Sequence, residues 1–154
     1  MINAFVAQFT EKKIDTVHLW NKYFYANKEL EKYRLPAKER VFGLYLGEEK
    51  DDVFVPSFNL LDWLAQHSKE KVFVKDIGEM DFLYGKNLRT RHVEKVEGKP
   101  GHSIVKLVQN KYDENLGYGI IIGDVTKKEQ VLKHKKDRGD FLKRERKTMI
   151  QTRD

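Results

Sequence analysis

The residues best equipped for chemistry lie late in the chain. Lys133, Lys135, Lys136 and Arg138 put four permanent cations into six consecutive positions, closed by Gly139, and Lys143, Arg144 and Arg146 follow. Lysine and arginine neutralise phosphates and release condensed counterions, which gives affinity that falls steeply with salt. Arginine can also bind in bidentate fashion or stack on bases. The charge is local. Residues 1–124 carry 19 basic and 19 acidic side chains, whereas residues 125–154 carry 11 basic and 5 acidic ones, so the net charge of +6 belongs to the last fifth of the chain. A localised basic stretch is an electrostatic footprint for a polyanion.

Other chemistries find less support. Cysteine is absent, which excludes disulfides, thiolate metal sites and cysteine nucleophiles. His18, His67, His92, His102 and His134 show no i, i+4 pair of the kind that binds zinc on a helix. Ser57, Ser68 and Ser103 lack a nucleophile signature. Glu48, Glu49, Asp51 and Asp52 sit in a polar stretch read as a hairpin tip, where little burial is available to shift a pKa. Gly85-Lys86-Asn87 lacks the spacing of a phosphate loop, and Gly117-Tyr118-Gly119 lacks the third glycine of a dinucleotide fingerprint. No catalytic residue, metal or cofactor is expected. No apolar run is long enough to cross a membrane, and the first ten residues do not resemble a secretory signal, so a cytoplasmic protein is expected.

The elements that must position the cations follow from periodicity. Met1–Phe9 reads as a strand, and Val17, Leu19, Trp20, Tyr23, Phe24 and Leu30 as one face of a helix ending before Pro36. Arg40–Leu46 and Val53–Val55 read as strands flanking the tip Gly47–Asp52, and Asn59 as the cap of a short helix. His67–Glu70 is the expected boundary. Beyond it, Lys71–Lys75, Asn87–Val96, Ser103–Gln109, Gly117–Gly123 and Phe141–Lys147 read as strands, with a helix at Ile77–Tyr84 capped by Gly85. Alternation along Asn87–Val96 puts Arg89 and Arg91 on one face. Five short strands and one early helix suggest a small closed β-barrel.

Four runs then fall in a recognisable order and spacing: Lys71–Lys75 (KVFVK), Asp81–Lys86 (DFLYGK), Leu116–Gly119 (LGYG) and Arg138–Arg144 (RGDFLKR). They resemble a PUA domain, the small RNA-binding barrel named for pseudouridine synthases and archaeosine transglycosylases. The FLYG run and the late glycine-acidic-aromatic-aliphatic-basic run are similar to the Nip-seven family, archaeal and eukaryotic factors of large-ribosomal-subunit biogenesis. Phe42-Gly43 and Leu61–Leu64 resemble that family's segment before its PUA domain. The likeness runs from Arg40 to Met149 and is of the archaeal type. The region before Arg40 is shorter than in typical members, and Leu88–Val96 departs from the pattern.

The resemblance implies an α+β protein, with a small mixed α/β N-terminal domain over residues 1–69 followed by a PUA-type β-barrel over residues 70–154. It implies RNA binding without catalysis, through Tyr84, Gly85, Lys86 and Asn87 and through Arg138, Lys143 and Arg144. The charge reading adds Lys133, Lys135, Lys136 and Arg146, and alternation adds Arg89 and Arg91 as flankers. The implied role is an adaptor in ribosomal RNA processing or large-subunit assembly, with ribosomal RNA, or else tRNA, as partner beside RNA-processing or ribosome-assembly proteins. The alternative is a detached accessory domain of an RNA-modification enzyme of the tRNA transglycosylase or pseudouridine synthase type. A protein-interaction module with a basic end is a third reading.

Overall fold

The computed structural model describes residues 1–26, 44–127, 129–140 and 142–144. Contacts group the chain into two compact units, Met1–His67 and Ser68–Asp154. Helices and strands are mixed, as the α+β reading required.

The first unit exchanges two of the expected elements. Helix α1 spans Ile2–Ala7 where a strand was expected. Ile2, Phe5, Val6 and Phe9 are buried at spacings of three and four, so the helical period prevails over the partial alternation. Conversely, Thr16–Leu19 (β1) and Lys22–Tyr25 (β2) form an antiparallel hairpin where a helix was expected. Thr16, Val17, Tyr23, Phe24 and Tyr25 are β-branched or aromatic, and they favour the pleated, half-buried surface of a sheet. The remainder of the expected helix, to Pro36, lies outside the described residues.

Tyr45–Lys50 (β3) and Val53–Pro56 (β4) complete a four-stranded sheet in the order β1-β2-β3-β4. Their turn is tighter than the expected tip. Asp51 and Asp52 both have positive φ, 50° and 60°, as a two-residue hairpin of matching twist requires. Helix α2 spans Phe58–His67 and buries Leu60, Leu61 and Leu64 completely. Its cap is Ser57, whose Oγ accepts the Leu60 N–H at 3.2 Å. Asn59 instead donates to the Tyr45 carbonyl.

The second unit holds Lys71–Val74 (β5), Asp76–Leu83 (α3), Leu88–Arg89 (β6), Val93–Glu97 (β7), Val105–Gln109 (β8), Asn115–Ile121 (β9) and Gln130–Asp137 (β10). The sheet order is β6-β10-β9-β8-β5-β7, with β5 and β8 parallel and the other pairs antiparallel. β6 and β7 stand at opposite edges, yet a single 3-10 turn, Thr90–His92, joins them. A sheet whose two edges are three residues apart must curl on itself. Val72, Val74, Phe82, Leu88, Val93, Val108, Leu116, Ile121, Val131 and Leu132 fill the interior.

Two expectations are corrected in this unit. Asn87–Val96 is not one strand, because the 3-10 turn breaks its alternation. The last strand is β10, whereas Asp140 and residues 142–144 are helical, so the expected strand at Phe141–Lys147 does not form across them. Phe141 and residues 145–147 lie outside the described residues.

A buried ion pair fastens the β7–β8 connection. Lys106 is fully buried, and its Nζ lies 2.6 Å from Glu70 Oε2, 2.6 Å from the Glu97 carbonyl and 2.9 Å from the Lys99 carbonyl. The Lys99 N–H in turn donates to the Glu70 carboxylate at 3.1 Å.

Candidate nucleic-acid interface

Helix α3 closes in a way that exposes backbone. Gly85 takes a φ of +81°, its N–H donates to the Phe82 carbonyl, and the Lys86 N–H donates to the Asp81 carbonyl. That pair of bonds is the Schellman closure, which favours glycine at this position. A Cβ built on Gly85 would lie 3.5 Å from Lys143 Nζ and 3.9 Å from Asp137 Oδ2. The glycine therefore presents bare backbone to the head of Lys143.

Asn87 ties this loop to β10. Its Oδ1 accepts the His134 N–H at 2.8 Å and its Nδ2 donates to Gln130 Oε1 at 3.2 Å. At the end of β10, the Asp137 side chain is 3% exposed. Its Oδ2 lies 2.8 Å from Lys143 Nζ and 2.7 Å from His134 Nε2, and its Oδ1 accepts the Gly139 N–H at 2.6 Å. Lys143 keeps 37% of its side chain exposed while its ammonium is held by Asp137. Gly139 makes this junction possible: a Cβ there would meet the Leu83 carbonyl of α3 at 1.8 Å.

Burial pushes the Asp137 carboxyl up, but hydrogen bonds from Lys143, the Gly139 N–H and His134 outweigh it and hold the group below its ordinary value of 3.8. A carboxyl with a lowered folded pKa stabilises the fold above its unfolded value, and the contribution is lost as pH falls through the folded pKa. The stability margin of the protein over its Asp137→Asn variant should therefore be flat above about pH 5 and shrink progressively below about pH 4 in urea titrations. A margin constant through that window would place the stabilisation elsewhere.

On the other flank of the loop, Asp81 holds Lys86 Nζ at 3.0 Å through Oδ1, and its Oδ2 lies 3.1 Å from His92 Nε2. The hydrogen bond from Lys86 keeps the Asp81 carboxyl below the usual range. His92 is buried, its Nδ1 accepts the Arg89 N–H at 3.0 Å, and its Nε2 faces Asp81. Burial lowers the His92 pKa, against the attraction of Asp81.

The structure thus gathers Gly85, Lys86, Asn87 and Lys143 around the end of α3, with Tyr84 half-buried beside them. Arg89 stands opposite Gln130 on β10, and Arg91 lies in the 3-10 turn. Both are exposed and flank His92 rather than sharing the expected strand face. Lys133 and Lys135 are exposed on β10, where alternation turns them to the side away from His134. Lys136 follows a bulge and is half-buried, as is Arg138, while Arg144 is exposed. Arg146 lies outside the described residues. Sequence reasoning missed Asp81 and Asp137, which hold Lys86 and Lys143, and His92 and His134, which lie against those two acids. The signal for Asp137 was present: it is the one acid within the basic run from Lys133 to Arg138. Among the described residues, no group of three or more His, Asp or Glu side chains could hold a metal ion, and no helix is long and apolar enough to cross a membrane.

A curled six-stranded sheet, a glycine-capped helix after its β5 strand and cations gathered at that cap define a PUA barrel. A solved structure, a conserved PUA domain protein from Thermoplasma acidophilum, shares the fold, with a TM-score of 0.60 over 94% of this chain and 91% of that one at 16% identity. The UPF0113 PUA domain family matches residues 70–146, and the chain belongs to that family. Among curated relatives, the 60S ribosome subunit biogenesis protein nip7 of Schizosaccharomyces pombe is 30% identical over 111 residues, covering 67% of this chain. The 60S ribosome subunit biogenesis protein NIP7 of Saccharomyces cerevisiae is 38% identical over 80 residues, covering 51% of this chain. These matches span 61% and 44% of the relatives' own lengths.

Proposed function

We propose that this chain is a non-catalytic RNA-binding protein acting in ribosomal RNA processing or large-subunit assembly, and that residues 70–154 carry the RNA contacts. The observation that carries this reading is the placing of Lys143 Nζ beside Gly85, 3.5 Å from where a Cβ on that glycine would stand. A phosphate brought to this glycine would meet the Lys143 ammonium, with Lys86 on the neighbouring turn. Lys133, Lys135, Arg89, Arg91 and Arg144 are exposed cations of the same unit and would add longer-range attraction for a polyanion. The names of the curated relatives supply the biological setting, and family membership supports RNA as the polyanion.

Fluorescence anisotropy with ribosomal RNA fragments, tRNA and duplex DNA across a salt series tests the reading. RNA should bind in preference to DNA and weaken with salt. The Lys86→Gln/Lys143→Gln variant should weaken all RNAs about equally and reduce the log–log salt slope by roughly 1–2. Absence of salt-sensitive RNA binding would overturn the proposal, and equal affinity for all three polyanions would reduce it to generic charge.

A further inference from the structure

We infer that Asp137, an acid inside the basic surface, is a positioning residue for RNA binding, so that neutralising it weakens binding. The inference rests on the RNA reading above and concerns how that site is held. Elementary electrostatics points the other way: removing a negative charge from a cationic surface strengthens its attraction for a polyanion. Asp140, three residues on and exposed, is expected to behave in that ordinary manner.

Asp137 differs because of what surrounds it. With 3% of its side chain exposed, its charge is turned inward, onto Lys143 Nζ, His134 Nε2 and the Gly139 N–H. Lys143 has a flexible four-carbon stem and, without an anchor, loses its fixed position over Gly85. The Gly139 N–H sets the start of the short helical stretch that carries Lys143, since the Leu142 and Lys143 N–H groups donate to the Gly139 carbonyl. One carboxylate therefore fixes both the ammonium and the backbone it grows from. Asp81 and Lys86 form the contrasting pair: Lys86 is 62% exposed, and such a surface bridge fixes little.

The test compares Asp137→Asn, Asp140→Asn, Lys143→Gln and the Asp137→Asn/Lys143→Gln double variant in the full chain, using a ribosomal RNA fragment that the wild-type protein binds. Asp140→Asn should bind roughly twofold tighter. Asp137→Asn should bind about five- to tenfold weaker, with a salt slope lower by about 1, matching Lys143→Gln. The double variant should bind no worse than Lys143→Gln alone, because both changes remove one device. A merely structural role predicts instead losses that add in the double variant and an unchanged slope, and that result would overturn the inference. So would Asp137→Asn binding as tightly as Asp140→Asn. Competitive acetylation of the RNA-free proteins, read by mass spectrometry, gives a second measure. Lys143 should react faster in Asp137→Asn while Lys133 is unchanged; unchanged Lys143 reactivity, or a general rise at all lysines, counts against positioning. If wild-type protein bound no RNA, the functional proposal would fail, whereas the acetylation result would still report on the Asp137–Lys143 pair.

Discussion

Lys106→Met should unfold the barrel unit at temperatures where the wild type is intact. The substitution keeps the volume of the fully buried side chain and removes its charge. It leaves the Glu70 carboxylate, 9% exposed, with the Lys99 N–H as its remaining partner among those described above, and it orphans the Glu97 and Lys99 carbonyls that Lys106 satisfied. Removing one member of a buried ion pair costs about 3–5 kcal/mol, because the other charge stays buried and uncompensated. For a unit of this size that is a fall in melting midpoint of roughly 15–30 °C. The Glu70→Gln/Lys106→Met double variant should recover most of the loss, since no charge is then buried and the glutamine oxygen still accepts from Lys99. Calorimetry on the three proteins decides the matter. A single-variant loss below about 1 kcal/mol would show that water reaches the pair, as at an ordinary surface bridge.

Gly139→Ala should be the second most damaging change, and it should cost function as well as stability. The added Cβ would fall 1.8 Å from the Leu83 carbonyl and 2.9 Å from Asp137 Oδ1. The first obstacle is helix backbone, which cannot rotate away, so the β10 end must separate from α3. Overpacking of this kind costs about 1–3 kcal/mol and sometimes more. The same separation withdraws Lys143 from Gly85, so RNA affinity should fall by about tenfold or more, the equivalent of about 1.4 kcal/mol. Gly85→Ala provides the contrast in stability. Its Cβ meets nothing closer than 3.5 Å, so its stability penalty is the left-handed backbone alone, about 1 kcal/mol. Urea titration on both variants gives the ranking. Equal damage at the two glycines would mean that the Gly139–Leu83 contact is looser than the structure shows.

How much of this was legible beforehand depends on which signal each segment carried. α3 and its Gly85 closure were readable because a glycine follows directly on a short helix-compatible run, and β5, β8 and β9 because their apolar runs are bounded by turn residues. β10 was hidden by its own charge. Lys133, Lys135 and Lys136 crowd a strand whose apolar contribution is Val131 and Leu132, and charge density obscured the period of two. At the N-terminus two periods competed within a few residues. Ile2, Phe5, Val6 and Phe9 satisfied the helical one, and the aromatic pair Tyr23–Phe24 was compatible with both until pairing with β1 and β3 settled it. The candidate site was half legible. The cations and the glycine turn are local in sequence, so they could be seen. Their anchors act across the fold: Asn87 meets His134 47 residues away, and Asp81 meets His92 through the 3-10 turn. Nothing in a linear pattern announces that an acid faces inward.

The joining of the barrel's two edges through Thr90–His92 has a consequence for how this unit meets other chains. β6 offers two residues at its edge before the turn removes the strand, and β7 carries Glu94, Lys95 and Glu97. Short and charged edges resist the addition of a strand from another polypeptide. Copies crowded onto one long RNA would gain little by pairing backbone to backbone, and a partner protein would find no ready template for β-augmentation. Under the proposed function, recognition would then fall to side chains and turns, where Gly85 and Lys143 stand.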